Sequence, residues 1–83
     1  YNAVLGYTAG PVITTGKFNT CMGANSGGVL TTGSDNTFLG YNTDASAVDV
    51  SDEIVIGRDV VGGGTATARF GLGSNTATHR TSD

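Results

Sequence analysis

The chain has 83 residues, of which 14 are glycine, with 13% charged side chains and a formal net charge of −3. That length limits it to one domain, whose own core is only marginally sufficient for stability. The negative charge argues against a nucleic-acid partner, and no apolar run approaches the roughly 18 residues that cross a bilayer. The single cysteine, Cys21, excludes a disulfide within the chain, so we expect association with other chains to supply stability.

A fixed sequence period of about 17 residues, short enough for a solenoid coil, runs through the chain as far as Gly57. Two series mark it: Asn2, Asn19 and Asn36 continued by Glu53, and Gly6, Gly23, Gly40 and Gly57. Such a period is typical of a solenoid, in which each copy is one coil stacked on the last. Glycine there permits a positive φ or a close backbone approach, and stacked asparagines hydrogen-bond from coil to coil. We therefore predict that these residues form the structural repeat.

Each copy opens with a short run of apolar and β-branched residues, which favours a strand over a helix. In chain order these predicted strands cover residues 3–5, 20–22, 37–39 and 54–56. Apolar pairs at residues 12–13, 29–30 and 47–48 predict a second short strand in each of the first three coils. Glycine, threonine and serine between the runs predict turns. The fold class is therefore all-β, a parallel β-roll or β-solenoid whose coils each take up one sequence period.

The regularity of the repeat decides the predicted organisation of the chain. Residues 1–61 form a four-coil repeat region, and residues 62–83 form an irregular glycine-rich segment and polar tail that offers one terminal strand. The chain starts in mid-pattern at Tyr1, without an initiating methionine or a signal peptide. We expect it to be a piece of a longer protein.

Alternation along the predicted strands leaves two candidates for the row of side chains inside the roll. The two rows are Val4, Cys21, Phe38 and Val55, and Leu5, Met22, Leu39 and Ile56. The sequence does not decide between them, because both are apolar. Whichever row lies outside faces a neighbouring chain, since a free coil would expose it to water. Packing of three rolls around an axis would cover that row, so we predict a homotrimer.

The strings NAVLGYTAG and NTFLGYNTDAS resemble the repeats of known attachment proteins. They are similar to the Asn-x-apolar-apolar-Gly repeats in heads of trimeric autotransporter adhesins. They resemble more closely the repeats in phage tail fibres and in attachment proteins of large viruses such as the chlorella viruses. The likeness covers about residues 1–57 and extends loosely to Gly73. It implies a left-handed parallel β-roll that forms the homotrimeric shaft or head of a host-binding fibre on the virion surface. The bacterial alternative implies an adhesin head on the outer cell surface.

Aromatic residues on turns are the candidate contacts with a host glycan or cell wall. Tyr7 and Tyr41 occupy equivalent turn positions two coils apart, and Asn42 follows the second of them. Sugar recognition commonly uses an exposed ring beside hydrogen-bonding groups. The alternative is that both rings pack on a neighbouring chain or on the intervening Ala24.

Catalytic, metal and cofactor sites are not predicted. Five acids lie between Asp44 and Asp59, but their spacing matches no calcium-binding loop, so we expect solvated turn residues. His79, the single histidine, sits in the polar tail, where a catalytic base would be poorly held. Two less favoured functions remain: a polysaccharide-degrading solenoid enzyme, which needs a cleft of clustered charges, and an ice-binding solenoid. The latter would use the stacked pairs Thr14-Thr15 and Thr31-Thr32.

Overall fold

A computed structural model describes residues 1–73 and 75–80 of the chain. Residues 74 and 81–83, which belong to the predicted polar tail, lie outside the described residues. The described part is all-β, contains no helix and measures 28 × 26 × 16 Å. Its strands are β1 (Ala3–Leu5), β2 (Thr20–Met22), β3 (Thr37–Tyr41), β4 (Glu53–Arg58), β5 (Thr67–Leu72) and β6 (Asn75–Arg80).

The first five strands stack in sequence order as neighbours in one parallel sheet. Register between β1 and β4 advances by the sequence period, so that Val4 lies beside Cys21, Cys21 beside Phe38, and Phe38 beside Val55. The chain therefore forms a β-solenoid of about four turns. Residues that are one sequence period apart lie side by side in successive coils of the repeat. This confirms the all-β fold class and the parallel stacking of coils.

The step from β4 to β5 is shorter than the period, because Ile54 lies beside Ala68, whereas the period would place Gly71 there. The missing residues are lost from the turn that follows the bridge between Asp44 and Val61. Strand β6 then turns back and pairs antiparallel with β5, which covers the far edge of the parallel sheet.

Glu53 closes this shorter turn from inside. Its side chain is fully buried, and the carboxylate accepts hydrogen bonds from the backbone amides of Ser46 at 3.1 Å and Gly64 at 2.7 Å. Hydrogen bonds from two amides offset part of the cost of placing a carboxylate away from water. Glu53 thus occupies the asparagine position at the end of the repeat with a different set of contacts, since its carboxylate accepts two turn amides and donates to no carbonyl.

The first of the two candidate rows fills the inside of the solenoid. Cys21, Phe38 and Val55 are each 0% exposed, whereas Val4 in the first coil is 45% exposed. The turns complete the core with residues from outside the strands, chiefly Leu30, Val50 and Val60. Arg69 occupies the corresponding position of β5, where its guanidinium donates to the carbonyl of Val61 at 3.0 Å. The other row, from Leu5 to Ile56, lies on the outer face.

The predicted second strand of each coil is wrong, because the described chain carries one strand per coil. The apolar pairs lie instead in turns that are held to the next coil by single backbone hydrogen bonds. Gly10 donates to the carbonyl of Ser26 at 2.7 Å, and Thr14 donates to that of Thr31 at 3.0 Å. Two apolar residues between Gly-Pro or Gly-Gly and Thr-Thr-Gly are too few to extend a ladder. One member of the first two pairs, Ile13 and then Leu30, still packs on the core.

The asparagine series forms a continuous internal ladder, as predicted. Asn19 donates from its side-chain nitrogen to the carbonyl of Gly33 at 2.9 Å, and its Oδ1 accepts the backbone amide of Asn36 at 3.0 Å. Asn36 repeats the pattern toward Val50 and Glu53, at 2.8 and 2.9 Å. Each side chain thus satisfies one carbonyl in the turn that ends its own coil and one backbone amide at the start of the next coil. Asn19 and Asn36 are 1% exposed, so water does not offer these backbone groups a substitute.

The first coil leaves one end of this ladder open. In the second coil, Asn19 donates its amide to Asn2 Oδ1 at 2.9 Å, and Gly23 donates to the carbonyl of Leu5 at 2.8 Å. The equivalent amides of Asn2 and Gly6 have no hydrogen-bond partner in the described part of the chain. Together with the exposed Val4, these groups form an edge that accepts a further strand.

Adding a coil at that edge is expected to stabilise the solenoid. A copy of residues 19–34 placed before Tyr1 keeps the spacing and buries Val4, so the free energy of unfolding should rise by roughly 2 kcal/mol. Urea unfolding followed by circular dichroism measures the change. The control carries the same added residues in scrambled order. If the two extended chains are equally stable, the first coil does not offer an open edge that pairs with a further strand.

Candidate functional surface

The outer face of the parallel sheet carries no charged side chain at the two outward positions of each strand. These positions are Ala3 and Leu5, Thr20 and Met22, Thr37 and Leu39, Ile54 and Ile56, and Ala68 and Phe70. One column, here called the apolar face, consists of Leu5, Met22, Leu39, Ile56 and Phe70, which pair in register from strand to strand. Exposure is 66% for Leu5, 43% for Leu39 and 46% for Phe70. A column of apolar residues in which four of five are exposed and Ile56 is half-buried is unusual on a monomer and is typical of an interaction surface.

The residues that follow the glycine series form a second exposed column, here called the tyrosine column. Its members are Tyr7, Ala24, Tyr41, Arg58 and Leu72. Tyr7 is 79% exposed and Tyr41 is 52% exposed, and the coil between them contributes only the small side chain of Ala24. Since coils rise by about 4.8 Å, the two tyrosines lie about 10 Å apart along the solenoid axis. The equivalence predicted for these two positions is therefore present.

Polar side chains line the tyrosine column on one side. Thr8, Asn25, Asn42 and Asp59 all adopt the left-handed backbone conformation, with φ between 53° and 58°. Thr8 hydrogen-bonds to Asn25 through their side-chain oxygens, and Asn42 donates from Nδ2 to Asp59 Oδ1 at 2.9 Å. Asn42 is a predicted surface residue and Asn25 is not, although the sequence period makes the two positions equivalent.

The acidic residues between Asp44 and Asp59 do not converge on one point. Asp44 Oδ1 accepts the backbone amides of Val29 at 2.9 Å and Ala45 at 3.0 Å. Asp59 pairs with the adjacent Arg58 at 2.9 Å, and Glu53 is occupied inside the last turn. Within residues 1–73 and 75–80, no group of three or more His, Cys, Asp and Glu side chains is arranged to hold a metal ion.

An open groove of about 460 Å³ lies beside the outer face, where sequence analysis predicted nothing. It is lined by Asp35, Thr37, Asp52, Ile54 and Ala66. Asp35, Asp52 and Ala66 share the left-handed conformation just before a strand, with φ between 59° and 63°. The only sequence signal for this groove is the position just before each strand. Because that position is aspartate in two coils and alanine in the next, it does not form a recognisable motif.

His79 and the stacked threonines carry the remaining candidate chemistry. His79 is exposed on the edge strand β6, opposite Ala68 in the register. The Thr14 and Thr31 hydroxyls donate to backbone carbonyls of the next coil, Thr14 to Thr31 at 3.4 Å and Thr31 to Val48 at 3.2 Å. These hydroxyls therefore link coils, and the column of threonines ends at the exposed Val48.

Cys21 is a buried member of the core. Burial, with a smaller contribution from the charge of Asp44, raises the pKa of its thiol from 9.0 to about 11. The folded chain therefore holds the thiol proton more tightly than the unfolded chain does.

Thiol chemistry tests this placement directly. At pH 8 the folded chain should react with a thiol-specific reagent only as fast as it unfolds, while the urea-unfolded chain reacts at once. The contribution of Cys21 to stability should be intact below pH 9.0 and decline as the pH rises toward about 11. Complete modification of the native chain within the mixing time would contradict a buried, protonated thiol. A Cys21→Ala chain provides the blank for both measurements.

Comparisons of this chain with protein-family models, with curated proteins and with solved structures find no match. The described residues also include no helix of the length and apolarity needed to span a membrane. The outward surfaces themselves therefore carry the functional argument.

Proposed function

We propose that this chain is a structural and receptor-binding segment of a homotrimeric viral or phage fibre that attaches the particle to the host cell surface. The observation that carries the proposal is the apolar face, in which Leu5, Met22, Leu39 and Phe70 are exposed and Ile56 is half-buried. The resemblance of the repeat to those of attachment fibres supports the same role.

In an assembly of three copies around an axis, the apolar face of each chain would pack against neighbouring chains and would no longer contact water. Each chain would place its sheet against its neighbours and remove this column from solvent, with about 25 cal/mol gained per Å² of apolar surface buried. The in-register stacking of coils keeps that column continuous along the axis. The asparagine ladder connects each coil to the next by hydrogen bonds. A stack of coils connected in this way is stiff, as the shaft of a fibre must be.

The assembly is testable by mass and by one substitution. The native chain should have a solution mass of three times 8.3 kDa by light scattering after size exclusion. Leu39→Asp places a charge in the centre of the apolar face and should give a folded monomer. Val48→Asp is the matched control, because Val48 is 50% exposed but lies in a turn outside that face. A native monomer, or a Leu39→Asp chain that stays trimeric, would count against the proposal.

The attachment role needs a separate measurement. Fluorescently labelled native protein should adsorb to intact walled cells, and soluble wall polysaccharide from the same cells should displace it. Monomeric Leu39→Asp protein should adsorb more weakly, because it loses the avidity of three linked sites. Absence of adsorption to algal and bacterial cells alike would contradict attachment while leaving the assembly unaffected.

A further inference from the structure

We propose that the tyrosine column is a stacking platform for a neutral, extended, β-linked polysaccharide, an assignment that rests on the attachment role proposed above. Tyr7 and Tyr41 supply the two stacking surfaces. Their exposed fractions, 79% and 52%, leave both rings open to a ligand.

The spacing of the rings selects the linkage. Tyr7 and Tyr41 lie two coils apart, which places them about 10 Å from each other along the axis. In an extended β-1,4-linked chain every second pyranose presents the same face, and the distance between such sugars is of this size. Two tyrosines at this spacing can therefore stack on alternate sugars of one straight chain. An α-linked chain curls, so its sugars do not remain in line with both rings.

The coil between the rings leaves room for the intervening sugar. Ala24 occupies the equivalent position there, and its side chain is the smallest that a non-glycine residue can offer. A bulkier residue at this point would lift the polysaccharide away from the two rings.

The polar column beside the rings supplies hydrogen-bonding groups. Asn42 uses its Nδ2 to bind Asp59, and Asn25 contacts Thr8 through its Oδ1. The amide oxygen of Asn42 and the amide nitrogen of Asn25 have no partner in the described part of the chain. One acceptor and one donor thus lie between and beside the rings, where sugar hydroxyls would come.

The local charge favours a neutral ligand. Arg58 and Asp59 stand at the next coil of the two columns and form an ion pair at 2.9 Å. Their charges cancel, and the other members of both columns are uncharged. Arg58 and Asp59 already neutralise each other, so neither an acidic nor a basic polysaccharide would find an unpaired opposite charge in these two columns.

Binding to insoluble polysaccharides tests the assignment. Native protein should sediment with cellulose and with chitin, both β-1,4-linked, and not with α-linked starch. Tyr7→Ala and Tyr41→Ala should each weaken binding by about ten-fold. Tyr1→Ala is the control, since Tyr1 is 96% exposed but lies outside the column and stacks on Phe18. Absence of sedimentation, equal binding to starch, or unchanged binding by both column variants would overturn the assignment.

A spacing variant separates the geometry from the mere presence of two rings. The double change Ala24→Tyr with Tyr41→Ala keeps two tyrosines in the column but brings them to adjacent coils, about 4.8 Å apart. It should bind as weakly as Tyr41→Ala alone. If this double variant binds with the affinity of the native protein, the proposed two-coil spacing between the stacking rings is wrong.

Mass measurements on the same samples keep this assignment distinct from the fibre proposal. A trimer that binds no polysaccharide overturns the platform alone, whereas a monomer with tyrosine-dependent binding overturns the trimer alone. Conversion of the trimer to a monomer by Tyr7→Ala or Tyr41→Ala would show that these rings pack on neighbouring chains, which also overturns the platform.

Discussion

Replacing Asn36 by alanine is expected to lower the free energy of unfolding by about 3–5 kcal/mol, a large share of the stability of so small a domain. The Asn36 side chain donates to Asn19 Oδ1 at 3.0 Å and to the Val50 carbonyl at 2.8 Å, and it accepts the amide of Glu53 at 2.9 Å. The residue is 1% exposed. Alanine would leave the Val50 carbonyl and the Glu53 amide buried without partners, and each such group costs about 1–3 kcal/mol.

Asn42→Ala is the control for this effect, because Asn42 is exposed and its side chain makes one hydrogen bond, to Asp59. Asn42→Ala should cost about 1 kcal/mol, because alanine tolerates the left-handed φ of 56° less well than asparagine does. Chemical unfolding of the three chains compares the two changes. Similar losses for Asn36→Ala and Asn42→Ala would show that the internal ladder does not hold the coils together.

Replacing Gly40 by alanine should prevent the native stacking of coils. A Cβ at Gly40 would overlap the carbonyl oxygen of Gly57, and the φ of +126° is one that alanine rarely adopts. Because the contact is with backbone, no side-chain rotation relieves it, and we expect a loss of more than about 3 kcal/mol. Loss of the β-sheet circular dichroism signal at room temperature would measure this.

Gly28→Ala is the matched control for that substitution. A Cβ at Gly28 would meet Asp44 Oδ2 at 3.4 Å, an ordinary van der Waals distance, and the backbone there is not left-handed. The free energy of unfolding should change by about 0.5 kcal/mol or less. The expected change is an increase, because alanine reduces the conformational freedom of the unfolded chain. A folded Gly40→Ala chain as stable as Gly28→Ala would contradict the close approach of adjacent coils.

The period of the sequence is enough to predict where most strands lie and how they stack. Residues that recur at a fixed spacing occupy equivalent places in successive coils, so Asn19 and Asn36, or Gly23 and Gly40, were assigned correctly to columns. The same logic placed Tyr7 and Tyr41 in one column. It did not predict the left-handed turn beside them, since threonine at position 8 seldom adopts that conformation.

The choice of the inner row could not be made from the strands alone, because both rows are apolar. The turns decide it. A Cβ at Gly27 would lie 2.7 Å from Cys21 Sγ and 3.3 Å from the ring of Phe38, so the absence of a side chain there makes room for these two residues. A three-dimensional contact between a turn and a strand is not visible in a one-dimensional pattern.

The last coil departs from the period for a reason that only the fold reveals. Glu53 replaces asparagine at the point where the repeat shortens, and its longer side chain reaches the amides of Ser46 and Gly64 across the narrower turn. The sequence shows the substitution and the three glycines that follow it at 62–64, but not that they compensate for each other. Gly71 therefore continues the glycine column beside Gly57, although it comes earlier in the chain than the period predicts.

The apolar face, the tyrosine spacing and the asparagine ladder all depend on one claim, the in-register parallel stacking of successive coils. Solution NMR with cross-strand nuclear Overhauser effects tests it most directly. The stacking predicts backbone contacts between Cys21 and Phe38 and between Phe38 and Val55, each pair one sequence period apart, and between Gly57 and Gly71 across the shortened coil. Contacts that instead connect these strands in antiparallel order, or at any other spacing, would contradict the solenoid and every surface derived from it.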